Sequence, residues 1–178
     1  MRQAVFLDRD GVINVKAPEG EYIKRWEEFQ FLPNISEAIA RLNQSNFFIV
    51  VVSNQRGVAK GCMDISALEE IHRRMREQLA ASNARIDAIY YCPHDIAAGC
   101  ACRKPAPGML LQAAKDHDID LHNSWMVGDS DSDILAGKNA GCRTIRIIRS
   151  GATANVPSDL AFVSLTEAVF AILEDRPS

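Results

Sequence analysis

Short, almost continuously apolar runs recur along this chain, separated by longer stretches of helical periodicity. The runs are Ala4–Leu7, Phe47–Val52, Ile86–Tyr91, Trp125–Val127, Thr144–Ile148 and Ala161–Val163. The first two have no polar face, as expected of strands covered on both sides in a parallel sheet. Between the runs, Ile35, Ala38, Ile39 and Leu42 share one helical face after Pro33, with Asn34 or Ser36 as candidate caps. Leu68, Ile71, Met75 and Leu79 repeat that spacing behind Asp64 or Ser66, and Asp131–Ala140 and Thr166–Leu173 supply two more helices. This alternation predicts an α/β fold with a doubly wound, mostly parallel sheet. With 178 residues, no internal repeat and no Pro/Gly-rich linker, the chain reads as one domain over residues 1–178, its tail from Glu174 to Ser178 frayed.

Two connections are longer than a crossover needs, Val15–Leu32 and Cys92–Pro107. Both follow strands, and open α/β sheets bind ligands beyond the carboxyl ends of their strands. The net charge of −3 leaves no basic footprint for nucleic acid or an anionic membrane surface. Phe47–Val52, the longest apolar run, is far too short to span a bilayer, and no signal-like stretch precedes Asp8. The expectation is a cytoplasmic, monomeric protein that takes a small molecule, with no nucleic-acid or membrane partner.

The carboxylates sit at strand ends. Leu7-Asp8-Arg9-Asp10-Gly11 follows the first run directly, and residues two apart in extended chain face the same way. A polar turn alone accounts for that pentapeptide. A second acidic group, Gly128-Asp129-Ser130-Asp131-Ser132-Asp133, ends the Trp125–Val127 run. Three acids at a helix start also complement its dipole, yet two strand tips with carboxylates make an oxygen-ligand site suited to Mg²⁺. Val52-Ser53-Asn54-Gln55 offers a hydroxyl and amides at a third tip, where an Asx or Ser turn is the plain alternative. Arg103-Lys104 adds cations. Together these are parts for metal-assisted phosphoryl transfer.

The Cys92–Pro107 loop carries its own cluster, Cys92-Pro93-His94 followed by Cys100-Ala101-Cys102. Three thiolates and an imidazole match a closed, four-coordinate structural Zn²⁺ site with Cys92, His94, Cys100 and Cys102 as ligands. Cys62 and Cys142 stand apart and read as core thiols. The adjoining Arg103 offsets the net negative charge of such a centre, which would hold Lys104 in place without touching substrate.

The ordered set Asp8-x-Asp10, Ser53, Lys104 and Gly128-Asp129-x-x-x-Asp133 resembles the four motifs of the haloacid dehalogenase superfamily of phosphatases, from about residue 4 to residue 150. The resemblance implies a Rossmann-like, capless version of that fold carrying a zinc-binding loop over residues 92–107. It implies Asp8 as the nucleophile that forms an aspartyl phosphate, and Asp10 as the acid and base. Ser53 and Lys104 would hold the phosphoryl oxygens. Asp8, the Asp10 carbonyl, Asp129 and Ser130 would hold Mg²⁺, and Asp133 would orient Lys104 or a metal-bound water. Tyr91-Cys92-Pro93-His94 and Cys100 to Met109 are similar to the zinc-bearing branch that contains heptose bisphosphate and histidinol-phosphate phosphatases. Lys104-Pro105-x-Pro107-Gly108-Met109 and Asn54-Gln55-x-Gly57-x-Ala59-x-Gly61 favour the heptose side.

That branch implies substrate contacts from Arg103, Asn54, Gln55 and Arg56, and from the first-loop segment Glu19, Gly20, Glu21 and Tyr22. It further implies removal of the C7 phosphate from a sugar bisphosphate that feeds nucleotide-activated heptose for lipopolysaccharide core or other surface glycans. Arg56 stands where the family commonly has Ser, and the Val15–Glu21 loop is longer than usual; both bear on specificity. The intervals from Asp8 to Ser53 and from Ser53 to Lys104 leave no room for a lid domain, so the site should be open. A phospho-accepting receiver domain is the rival of another class, but the Phe47–Ser53 and Ile86–Cys92 tips carry no Asp to accept phosphate; a zinc-binding adaptor without activity is the third reading. His72, His117 and His122 are assigned to solvated surface, and Arg73-Arg74-x-Arg76 to a helix face paired with Glu69, Glu70 and Glu77. Trp26, Phe29 and Phe31 are assigned to packing of the first loop, and Trp125 to the core.

Overall fold

A computed structural model describes residues 1–148 and 154–175; the segment 149–153 and the end of the tail, 176–178, lie outside the described residues. The elements run β1 (Ala4–Leu7), α1 (Ile35–Gln44), β2 (Phe48–Asn54), α2 (Ile65–Ala80), β3 (Ala88–Cys92), α3 (Gly108–His117), β4 (Trp125–Gly128), α4 (Asp131–Ala140), β5 (Arg143–Ile147), β6 (Leu160–Phe162) and α5 (Leu165–Glu174). The sheet has the order β3-β2-β1-β4-β5-β6 and every neighbouring pair is parallel. Strand order therefore reverses between β1 and β4, the switch point at which doubly wound sheets open a crevice. Receiver domains use the other common order, 2-1-3-4-5, so the topology removes that rival.

The continuous apolar strands have the predicted cause. Val5, Leu7, Ile49 and Val51 face one layer, with Ile39 and Leu42 of α1, Ile71 and Met75 of α2, and Val169 of α5. Ala4, Phe6, Val50 and Val52 face the other, with Leu110 and Ala113 of α3 and Ala136 of α4. Alternate residues of one strand thus enter opposite cores, and neither face reaches water.

The structure moves several expected boundaries. β2 extends through Ser53 and Asn54, so these residues are paired strand rather than a turn, Ser53 opposite Tyr91 and Asn54 opposite Cys92. β3 starts at Ala88 and ends on Cys92. Asp64 caps α2 by accepting from the Ala67 amide, but neither Asn34 nor Ser36 caps α1: Asn34 is left-handed and makes no side-chain cap bond. The helix α3 has no counterpart in the periodicity reading. Met109, Leu110 and Ala113 bury its inner face. His117, expected in a polar loop, is its last residue and packs on Phe48 with ring centroids 4.8 Å apart. Trp125 is buried as expected, and within the first loop Trp26 stacks on Phe29 while Phe31 meets both edge-on.

The helix α4 lies unusually close to the sheet. A Cβ at Gly137 would stand 2.7 Å from Met126 Cβ and 2.8 Å from Thr144 Cγ2. Because α4 begins with the acidic segment, this contact fixes how far Asp133 stands from β1. Gly137→Ala should cost about 1–3 kcal/mol of stability by overpacking, read from the midpoint of urea unfolding.

Candidate active site

The two acidic strand tips meet at the switch point. The Asp8 amide donates to Val127 O at 3.0 Å, which ties the end of β1 to the end of β4. Gly11 turns the chain at φ +99, and any Cβ there would run into the Asp129 carboxylate. A side chain is excluded both by the positive φ and by the space Asp129 needs. Ser130 and Asp133 form a reciprocal capping box at the start of α4, the Ser130 hydroxyl and amide both bonding Asp133 Oδ2. This leaves Asp133 Oδ1 for Lys104. One oxygen each of Asp8, Asp129 and Asp133 lies within 4.8 Å of the others.

Lys104 stands at the centre of this group. Its ammonium, almost fully buried, donates to Asp8 Oδ1, Val52 O and pairs with Asp133 Oδ1, each at 2.7 Å. An ammonium has three donors, and all three are spent here. Its main chain is held as firmly: Asn54 Nδ2 donates to Lys104 O and Lys104 N donates to Asn54 Oδ1, each at 3.0 Å. Burial would lower the Lys104 pKa, but the Asp133 and Asp8 charges outweigh it and raise it. Burial and the Asp133 charge push Asp8 up to about 7 against the pull of Lys104. Three carboxylates, of Asp8, Asp129 and Asp133, converge around this one buried ammonium. Hard oxygen donors around one point, with an excess of negative charge, are the donor set that Mg²⁺ takes.

Asp10 differs. Its Oδ1 accepts from Arg9 Nε at 3.3 Å, Arg9 NH2 at 3.0 Å and Asn14 Nδ2 at 2.9 Å, and its Oδ2 accepts from Gln55 Nε2 at 2.9 Å. Burial acts to raise its pKa, but the Arg9 charge and these bonds together lower it. Two carboxylates two residues apart therefore sit in opposite electrostatic settings, a pattern that separates chemical roles.

The Cys–His cluster assembles as its spacing predicts. Cys92 Sγ lies 3.5 Å from Cys100 Sγ and 3.2 Å from Cys102 Sγ, and Cys100 and Cys102 are 3.4 Å apart. His94 Nδ1 is 3.5 Å from Cys92 Sγ and 3.3 Å from Cys102 Sγ. Zinc–sulfur bonds of about 2.3 Å give tetrahedron edges of about 3.8 Å, so this donor set fits the metal with little contraction or expansion. The loop is tied down on both sides: Arg103 NH1 donates to His94 O at 3.2 Å, and a Cβ at Gly108 would strike Ala101 O.

A cleft of about 350 Å³ opens above the acids. Its lining includes Asp8, Asp10, Asn54, Gln55, Arg103, Lys104, Asp129, Ser130 and Asp133, and the first loop from Lys16 to Ile23 with Glu19, Gly20, Glu21 and Tyr22. Ser53 is buried just below, its hydroxyl receiving Gln55 Nε2 at 2.7 Å. Arg56 does not belong to the lining. It pairs with Asp95 at 2.8 Å, which uses its charge to fasten the segment after β2 to the zinc-type loop. Lys16, which nothing in the motif pattern singled out, reaches Asp129 Oδ2 at 3.1 Å from the first loop.

Three further assignments are corrected. His72 is buried rather than solvated, with Nε2 3.3 Å from Arg9 NH1, because a buried guanidinium needs an acceptor there. Cys62 is exposed rather than a core thiol, whereas Cys142 is buried as expected. The Arg73 and Arg74 face pairs with Glu70 and Glu77, while Glu69 instead accepts from Tyr91 OH. Among the described residues no helix is long and apolar enough to cross a membrane.

Comparison with known proteins places this geometry. The HAD-hydrolase-like family model matches residues 101–167. The D-glycero-beta-D-manno-heptose-1,7-bisphosphate 7-phosphatase of Pseudomonas aeruginosa is 41% identical over 150 residues, 84% of this chain and 83% of that protein. A Mycobacterium bovis relative named for the alpha anomer of the same bisphosphate is 38% identical over 94% of this chain and 90% of its own length. The crystal structure of the D,D-heptose 1,7-bisphosphate phosphatase from B. bronchiseptica, complexed with magnesium and phosphate, superposes with a TM-score of 0.90 at 36% identity, covering 98% of this chain and 99% of that one.

Removing the central cation should expose how much the acids depend on it. Lys104→Met leaves two buried carboxylates uncompensated and should cost about 3–5 kcal/mol at neutral pH, and adding Asp133→Asn should recover part of the loss. Chemical denaturation of the single and double variants checks both.

Proposed function

The chain belongs to the haloacid dehalogenase superfamily, in the family of phosphatases to which its heptose bisphosphate relatives belong, and on that premise we propose that it removes the C7 phosphate of D-glycero-D-manno-heptose 1,7-bisphosphate. This is the phosphate-removing step on the way to nucleotide-activated heptose. The observation that carries the reading is the Lys104 ammonium bonded at once to Asp8 and Asp133, at the floor of a cleft that Asp129 also lines. Every relative compared above is named for a heptose bisphosphate, which favours that substrate over histidinol phosphate. Those names include both anomers at C1.

In the proposed route the Asp8 carboxylate oxygen attacks the phosphorus of the C7 phosphate. The phosphorus–oxygen bond to the sugar breaks, and Asp10 gives its proton to the leaving oxygen. Asp10 starts as a carboxylate; the dianionic phosphate arriving beside it favours its protonated form, and it takes that proton from solvent before passing it to the leaving oxygen. The Ser53 hydroxyl and the Lys104 ammonium, which turns one of its donors from Asp8 to the arriving phosphate, hold the phosphoryl oxygens, where charge must be balanced. Asp10, now deprotonated, takes a proton from water as the water attacks the phosphorus of the aspartyl phosphate, which frees Asp8 and inorganic phosphate. Asp8, Asp129, the Asp10 carbonyl and Ser130 would hold Mg²⁺, with Asp133 fixing Lys104. When bound, Mg²⁺ supplies positive charge to the phosphoryl group and holds it in line for attack. Arg103 and the Glu19–Tyr22 segment face the sugar. Arg56, paired with Asp95, acts on specificity only through the loop it fastens.

Cys92, His94, Cys100 and Cys102 would hold Zn²⁺ in a structural role. The loop has only a short 3-10 turn at Ile96–Ala98, so metal ligation takes the place of packing next to Arg103 and Lys104. Among the described residues no cap domain lies between the motifs.

Phosphate release from the heptose bisphosphate should exceed that from histidinol phosphate by at least about 100-fold in kcat/KM, in line with sites that read substrate hydroxyls. Asp8→Asn should abolish release from both. The reverse preference would overturn the substrate, and release by Asp8→Asn would overturn the nucleophile. Elemental analysis should find one zinc per chain, and Cys100→Ser should lose both the metal and most of the activity. A zinc-free variant with an unchanged rate would refute the positioning role.

A further inference from the structure

We propose that His72, on α2, is a positioning residue for the leaving-group acid: it receives Arg9 from behind, so that Arg9 holds the Asp10 carboxylate in place. The inference rests on the reading above in which Asp10 protonates the leaving oxygen.

Arg9 is 1% exposed, among the largest fully buried side chains of the protein. A guanidinium only donates, and a buried one must find acceptors for its fork. Two nitrogens go to one oxygen of Asp10, Nε at 3.3 Å and NH2 at 3.0 Å. The third, NH1, faces His72 Nε2 at 3.3 Å, while the Phe29 ring lies 6.0 Å from its central carbon. Since Arg9 cannot accept, Nε2 must, and the imidazole then carries its proton on Nδ1. His72 is itself 6% exposed and leans on the Tyr91 ring at 5.6 Å. Burial first, and then the Arg9 charge, push its pKa down to about 3 against a weaker pull from Asp10, so it stays a neutral acceptor.

The result is a chain of three side chains from α2 to the cleft: His72 to Arg9, Arg9 to Asp10. The helix α2 contributes no residue to the cleft lining, so this contact is how it reaches the chemistry. With an apolar side chain at position 72, NH1 would be a buried donor without a partner. The guanidinium would turn to find one and carry Asp10 with it. The Asp10 oxygen that receives only Gln55, Oδ2, is the one with room for a proton, and its aim depends on the Arg9 grip on Oδ1.

The test uses leaving groups, because a misplaced acid matters only where the leaving oxygen needs a proton. On an alkyl phosphate, His72→Leu should lower kcat/KM by about 10-fold or more, a part of what a general acid supplies. On p-nitrophenyl phosphate, whose phenolate leaves unaided, it should stay within about twofold of the native enzyme. His72→Gln, whose amide oxygen can accept from Arg9, should restore the alkyl rate. Equal losses on both substrates, no loss on either, or no rescue by Gln would overturn the proposal. If His72→Leu does not fold, His72→Met serves in the same comparison, and His72→Gln must in any case act like the native enzyme on both substrates. Asp10→Asn is run in parallel. If it shows no alkyl-selective loss, the acid assignment fails and this inference fails with it. If it does and the apolar His72 variant does not, only the role of His72 fails.

Discussion

One buried ammonium joins the parts of this molecule that matter. Lys104 meets a carboxylate from the end of β1, a carbonyl from β2 and a carboxylate from α4, all at 2.7 Å. Each acid alone would be costly to bury, and the cation alone more so. The end of β1, the β2 backbone and the start of α4 therefore close on one point because charge balance requires it. Around that point, each neighbouring feature controls where the ammonium stands. Asn54 clasps the Lys104 main chain with both ends of its amide. Gly11 leaves space for Asp129, and the capping box at α4 turns one oxygen of Asp133 toward Lys104.

The fold was legible in the sequence wherever one physical cause dominated. Strands buried on both faces must be apolar throughout, which made β1, β2 and β4 plain, and the shorter apolar runs of β3, β5 and β6 were legible between helical patterns that imply parallel pairing. Boundaries shifted by one or two residues because polar residues at the carboxyl end of a strand, such as Ser53 and Asn54, stay in the ladder to meet Tyr91 and Cys92. The helix α3 was missed for a different reason. It follows a proline-rich segment, and its inner face is marked mainly by Met109, Leu110 and Ala113, a short pattern over ten residues.

The site was legible to the extent that its chemistry is carried by residues close in sequence. Asp8 and Asp10, Asp129 and Asp133, and the four Cys–His donors each announce themselves by spacing. The supporting contacts do not. His72 looks like a polar residue on a helix flank until Arg9, 63 positions away, is seen to bury itself against it. Arg56 reads as a spare cation beside a phosphate site until Asp95 claims it. Lys16 reads as loop surface until it reaches Asp129. Pairings across such separations are set by topology, and a linear pattern holds no record of them.

The open cleft has a consequence for the fate of a covalent phosphate. Enzymes that pass a phosphoryl group from one sugar to another must keep solvent away while the acceptor is exchanged, which calls for a closing lid. Here the cleft is bordered by the first loop and by the segments at Asn54–Gln55 and Arg103–Lys104, and no second domain folds over it among the described residues. An acyl phosphate on Asp8 would stand in contact with bulk water once the sugar had left. The architecture itself thus selects the acceptor: water at about 55 molar outcompetes a dilute alcohol by mass action alone, and the scaffold favours a hydrolase over a mutase.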